Sequence, residues 1–192
     1  MSTADRYIED IRVGEAWTSR PVHISAEDIV EFGFRYDPQP MHTDAEAAAR
    51  GPFGGLIASG WQIAALAMRL SVEAKVFGNT PIIGAGVDEL RWVKPVRAGD
   101  TVTMTREITR VELPGKPRSR GTVHSTMVVR NQNGEDVLTM KVSAKVPPRP
   151  RKDRTGNREL RIDCGHILTV LRHKSRDCVA ATGRNTHPLQ AA

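Results

Sequence analysis

Residues 1–146 of this 192-residue chain contain no cysteine: the only two, Cys164 and Cys178, lie further on. Nothing in that stretch calls for a disulfide framework or an oxidising compartment. Aromatic residues make up only 5% of the chain, so a core has to be assembled mainly from aliphatic side chains. Long hydrophobic runs are missing too. The longest charge-free apolar window, residues 53–68, is broken by Gly54, Gly55, Ser59, Gly60 and Gln62. It falls short of the ~18–20 apolar residues that a membrane span needs. No basic segment followed by an apolar run opens the chain, so no secretory leader is expected and the expected compartment is the cytoplasm. Residues 1–146 also lack net charge, with 18 Lys/Arg against 18 Asp/Glu. The formal +6 of the whole chain comes from residues 147–192, which carry 10 Lys/Arg and 4 Asp/Glu. The basic balance therefore says little about what the main part binds.

What is present suits one sizeable domain with a buried core. Val13–Ile24 has the Val, Thr and Trp content of a strand, preceded by a turn at Gly14. Ser25 with Asp28 three residues on forms a capping-box pair for a helix that stops at Asp37, because Pro38 follows. Thr43, with Glu46 three residues on, caps a second short helix over Asp44–Arg50. Leu56–Phe77 is the longest helical pattern, apolar on nearly every side, and a helix of that kind is expected to be wrapped by other structure. Ile82–Val93, Thr101–Val111, Gly121–Asn131 and Asp136–Val146 then read as consecutive strands, with Asn133-Gly134 as a hairpin turn. The order predicts an α+β class in which an antiparallel sheet curls round one long helix. From Pro147 the composition changes to a Pro- and Arg-rich linker without a core, so the expected division is a domain over 1–146 and a basic extension over 147–192.

The segment Asp37-Pro38-Gln39-Pro40-Met41-His42 carries the chemistry. Each proline fixes its own φ and pushes the residue before it toward extended geometry. Asp37 and Gln39 are thus kept out of a helix, and the segment reads as a stiff, non-helical loop that aims its two ends at one spot. Asp37 is a candidate base. His42 is a candidate acid or base. Taken alone, such a pair also fits a capped structural loop.

That segment resembles the hydratase motif of the MaoC-like dehydratases, or (R)-specific enoyl-CoA hydratases, in which an Asp, a Pro and a His fall at the matching positions and Gln39 replaces an Asn. The resemblance continues through Gly54-Gly55-Leu56-Ile57-Ala58-Ser59-Gly60-Trp61 and Leu90-Arg91-Trp92-Val93-Lys94-Pro95-Val96-Arg97-Ala98-Gly99-Asp100, covering roughly residues 10–146. Three motifs in order are more specific than any one. The resemblance implies a hotdog fold and a homodimer that completes edges and active sites. It also implies reversible addition of water to a trans-2-enoyl thioester. In that reading Asp37 and His42 share the water, and the backbone N–H of Gly60 meets the thioester oxygen. Gln39, Ser59, Trp61 and Phe53 are implied substrate contacts, although Trp61 and Phe53 fit a core position equally well. No metal, nucleotide or redox cofactor is implied; coenzyme A or a carrier arrives with the acyl group.

Two departures stand out. The family's Ala-His-Gly is Ala58-Ser59-Gly60 here, and Met68 occupies a helix position where some members carry Ser. A hotdog thioesterase and a non-catalytic acyl-thioester binding module are the rival readings. The Asp37–His42 spacing speaks against the first, and the lost imidazole keeps the second open. Lys94 and Arg97 suit either coenzyme A phosphates or a solvated strand end. His23 and His124 lack accompanying ligands and read as ordinary histidines. Cys164, His166, His173 and Cys178 match no strong zinc spacing. Leu160–Arg172 suits a marginal helix. The basic extension is expected to be a disordered appendage, with a nucleic-acid contact as its alternative role.

Overall fold

The computed structural model describes residues 4–150, and its first compact unit ends at Arg149. The expectations for the basic extension, including the Leu160–Arg172 helix and the Cys164, His166, His173 and Cys178 group, lie outside the described residues. Among the described residues, a short 3-10 helix at Ile8–Asp10 is followed by six strands and four α-helices in the order β1 (Ala16–Thr18), β2 (Val22–His23), α1 (Ala26–Tyr36), α2 (Pro40–Thr43), α3 (Ala45–Arg50), α4 (Gly60–Glu73), β3 (Ile83–Trp92), β4 (Thr101–Glu112), β5 (Gly121–Arg130) and β6 (Asp136–Val146).

The last four strands and β1 form an antiparallel sheet ordered β1-β4-β5-β6-β3, with β2 also pairing to β4. Alternation along β4 turns Val102, Met104, Arg106 and Ile108 inward. Facing them, α4 contributes Ile63, Ala67 and Leu70 to the main cluster, which also takes in Met127, Val129, Leu138 and Met140. Burial of each of the larger aliphatic side chains among these contributes about 1.5–3 kcal/mol before entropy is counted. A second cluster gathers Ile8, Ile11, Val76, Phe77, Ile108, Val123 and Val146 at the other end of the sheet.

Arg106 is the anomaly of the inner face. It is buried, donates to Ser71 Oγ at 2.8 Å, and lies 4.9 Å from the Phe77 ring centroid. Burial pushes its pKa down to about 10, so it keeps its charge at neutral pH.

The structure corrects several element boundaries. The expected strand Val13–Ile24 is split between β1 and β2, since Pro21 between them has no N–H to offer a ladder. The expected loop at residues 37–42 contains a helical turn. Asp37 and Gln39 are non-helical as the prolines require, but Pro40 sits at the first helical position, where its missing N–H costs nothing. The cap of α3 is Asp44 rather than Thr43, accepting from the N–H groups of Glu46 and Ala47. Helix α4 begins at Gly60, not Leu56, because Ile57 N–H and Ala58 N–H bond the carbonyls of Met41 and Val96. It ends at Glu73, before Lys75 turns left-handed. Nor is α4 wrapped on all sides: Trp61, Met68 and Val72 form an exposed stripe, and the edge strand β3 exposes Ile83, Val87 and Trp92. Among the described residues, no helix is long and apolar enough to cross a membrane.

Candidate active site

The site grows out of the helix ends. Ser25 caps α1 with the expected reciprocal bonds to Asp28, and α1 runs until Asp37, whose N–H closes the last turn on Gly33. The turn α2 then brings His42 back against α1. Gly33 makes this approach possible: a Cβ there would lie 2.8 Å from the His42 carbonyl oxygen and 3.0 Å from His42 Cβ. A glycine inside a helix costs about 1 kcal/mol relative to alanine, and here it allows the close seating of the His42 turn.

His42 is buried, and its Nδ1 lies 2.8 Å from the Ile57 carbonyl oxygen. A carbonyl has no proton to give, so Nδ1 carries the hydrogen and Nε2 is the nitrogen left to face Asp37. Nε2 lies 3.3 Å from Asp37 Oδ2. The Asp37 carboxylate also accepts from Gln39 Nε2 at 2.8 Å on Oδ1 and from Ser59 Oγ at 2.7 Å on Oδ2. The Gln39 hydrogen bond, then that of Ser59, hold its pKa below the usual carboxylate value; partial burial works against them and His42 adds to them.

These groups stand at the wall of a cleft of about 620 Å³. Asp37, Gln39, His42, Phe53, Gly60 and Trp61 all line it, together with Tyr36, Met41, Ile63, Trp92 and Val137. Ser59 does not. The sequence places it among the substrate contacts, whereas its side chain is fully buried, bonded to Asp37, and caps α4 by accepting the Trp61 N–H. Gly60 opens α4, so its N–H has no intrahelical acceptor and sits at the positive end of the helix dipole. A Cβ at Gly60 would overlap the Trp92 indole, which packs edge-on against Trp61 at 5.4 Å between centroids. Lys94 lines the cleft and pairs with Glu135 at 2.6 Å, while Arg97 is not among the lining residues. Among the described residues, no three His, Cys, Asp or Glu side chains are grouped to hold a metal ion.

The MaoC like domain family matches residues 12–131, well over half of the chain. The chain belongs to the MaoC-like dehydratase family. Its similarity extends to 3-hydroxyacyl-thioester dehydratase Z of Mycobacterium tuberculosis, 37% identical over 94 residues that make up 48% of this chain and 62% of that protein. It is also 32% identical over 109 residues to an (R)-specific enoyl-CoA hydratase of Rhodospirillum rubrum, covering 54% and 69% of the two chains. A solved MaoC-like dehydratase from the same organism superposes with a TM-score of 0.68 at 36% identity, covering 76% of this chain and 99% of the other. The α+β architecture is accordingly the hotdog fold of MaoC-like hydratases.

Sequence reasoning overlooked two features of this MaoC-like site. Gly33 was visible as a glycine within a helical pattern, a usual sign of close packing. Trp92 lay within the third motif without a role, and only the sheet register places it over Gly60. Gly33→Ala is expected to keep the fold but to push α2 away, weakening the His42–Asp37 contact. A crystal structure of the variant showing that separation unchanged at 3.3 Å would refute this role for Gly33.

Proposed function

We propose that this protein catalyses reversible hydration of a trans-2-enoyl thioester to a 3-hydroxyacyl thioester. The observation that carries the reading is the carboxylate–imidazole pair, Asp37 and His42, 3.3 Å apart on the wall of a largely apolar cleft that begins at the N-terminus of α4. The names of the two relatives, a 3-hydroxyacyl-thioester dehydratase and an enoyl-CoA hydratase, support the same chemistry in its two directions.

Water is a weak nucleophile, so Asp37, ionised and fixed by hydrogen bonds from Gln39 and Ser59, holds and deprotonates it as its oxygen bonds to C3. His42, with Nδ1 committed to Ile57, uses Nε2 to hold the same water and to take part in delivering a proton to C2. The pair gains one proton from water and loses one to carbon, so it ends as it began. Negative charge growing on the thioester oxygen meets the N–H of Gly60, and one donor of this kind lowers the barrier by about 3 kcal/mol. Phe53, Trp61 and Trp92 offer apolar surface to the acyl chain, and Gln39 keeps Asp37 in place. The activity belongs to the domain over 1–146; the coenzyme A or carrier portion arrives with the substrate.

Purified protein mixed with crotonyl-CoA should bleach the enoyl-thioester absorbance without releasing free thiol. Asp37→Asn and His42→Ala should each lower that rate at least ~100-fold while the domain stays folded. Thiol release would instead favour the thioesterase. Silence in both channels, joined to tight acyl-CoA binding, would favour the binding module. Near-normal turnover in either variant would end the mechanism.

The exposed stripe of Trp61, Met68 and Val72 on α4, together with the open edge of β3, supports a homodimer as the working form. Sedimentation should give twice the chain mass for the wild type and a shift toward monomer for Val72→Glu. A monomeric wild type at micromolar concentration would contradict it.

A further inference from the structure

Ser59 is the one candidate site residue that stands behind the cleft instead of on its wall. Its hydroxyl is completely buried at the start of α4. The one proton of that hydroxyl is donated to Asp37 Oδ2 at 2.7 Å, and the oxygen accepts the Trp61 N–H at 3.3 Å. One side chain thus bonds both the candidate base and the first turn of the helix that carries the Gly60 N–H. The other donor to the carboxylate, Gln39, belongs to an exposed residue and can exchange its place with solvent. Ser59 has no such freedom, since its burial shuts solvent off from its proton.

We infer that Ser59 is a positioning residue, which clamps the Asp37 carboxylate to the N-terminus of α4 so that the base and the Gly60 N–H are held at a fixed separation. The inference rests on the hydratase reading, in which Asp37 and Gly60 both act on the substrate. It explains how a serine serves in this place: a hydroxyl is short enough to cap the helix and reach the carboxylate at once. The hydrogen bond also favours the ionised form of Asp37, in the same sense as that from Gln39. The groups facing Asp37 are Gln39, His42 from α2 and Ser59 from the start of α4; the cationic residue on the cleft wall, Lys94, is paired with Glu135.

The test uses the full chain with Ser59→Ala and Ser59→Thr. The Asp37 carboxyl is followed by ¹³C NMR against pH without substrate, and kcat and KM for crotonyl-CoA are followed against pH. Loss of a donor to the charged form raises the carboxyl pKa, so in Ser59→Ala the Asp37 titration and the acid limb of kcat should both move to higher pH. At neutral pH kcat should fall about 10- to 100-fold, the worth of a hydrogen bond to a charged group, with KM little changed. Ser59→Thr, which keeps the hydroxyl, should restore the wild-type titration. A helix cap without contact to the base would lower thermal stability and leave the Asp37 titration where it was, and that result in folded Ser59→Ala overturns the inference. Should Ser59→Ala fail to fold, Ser59→Cys, of similar volume and with a weaker donor, gives the same reading from its titration. Should the wild type turn over no enoyl thioester, the hydratase reading fails on its own. The NMR titration then still decides whether Ser59 holds Asp37.

Discussion

The carboxylate of Asp37 is the point at which three segments of the chain are tied together. It ends α1, it is held through Gln39 by the turn that follows, which also sets His42 Nε2 at 3.3 Å from it, and it is held through Ser59 by the start of α4. A buried or half-buried carboxylate is costly unless its lone pairs are satisfied. Here the partners that satisfy it also set where the imidazole and the helix N-terminus stand. His42 repeats the logic one step further, because its Nδ1 bond to Ile57 anchors the turn to the strand-like segment that leads into α4. Local stability and site geometry are supplied by the same bonds.

Close approach is the second constraint. Gly33 lets α1 lie against the His42 turn, and Gly60 lets the Trp92 indole lie against the first residue of α4. Both glycines forgo a side chain where an element must come within backbone distance of another. The few aromatic residues are concentrated in the same region: four of the nine, Tyr36, Phe53, Trp61 and Trp92, line the cleft. The core of the sheet is left to Val, Ile, Leu and Met. Aromatic surface is thus placed on the wall that would meet an acyl chain.

Much of this was legible in the residues. The four long strands were marked by Val and Thr runs between turn signals, and none of their limits moved by more than one residue. The α1 cap and stop were written in Ser25, Asp28 and Pro38, because those signals act through local bonds. The Asp37–His42 pair was visible because prolines constrain their neighbours wherever the chain goes. Tertiary hydrogen bonds were not legible. Residues 56–59 continue an apolar helical pattern, yet Met41 and Val96 claim the N–H groups of Ile57 and Ala58 and delay α4 to Gly60. The burial of Ser59 and the exposure of one side of α4 likewise depend on what packs where, which composition does not record.

The central claim is that one carboxylate–imidazole pair, working from a single side of the substrate, places both the hydroxyl and the proton. The most direct test is hydration of crotonyl-CoA in D₂O, with the relative configuration at C2 and C3 of the product read from proton coupling. The account predicts deuterium at C2 and oxygen at C3 added to the same face. Addition to opposite faces would mean that a group outside the Asp37–His42 pair delivers one of the two atoms, and would contradict the account.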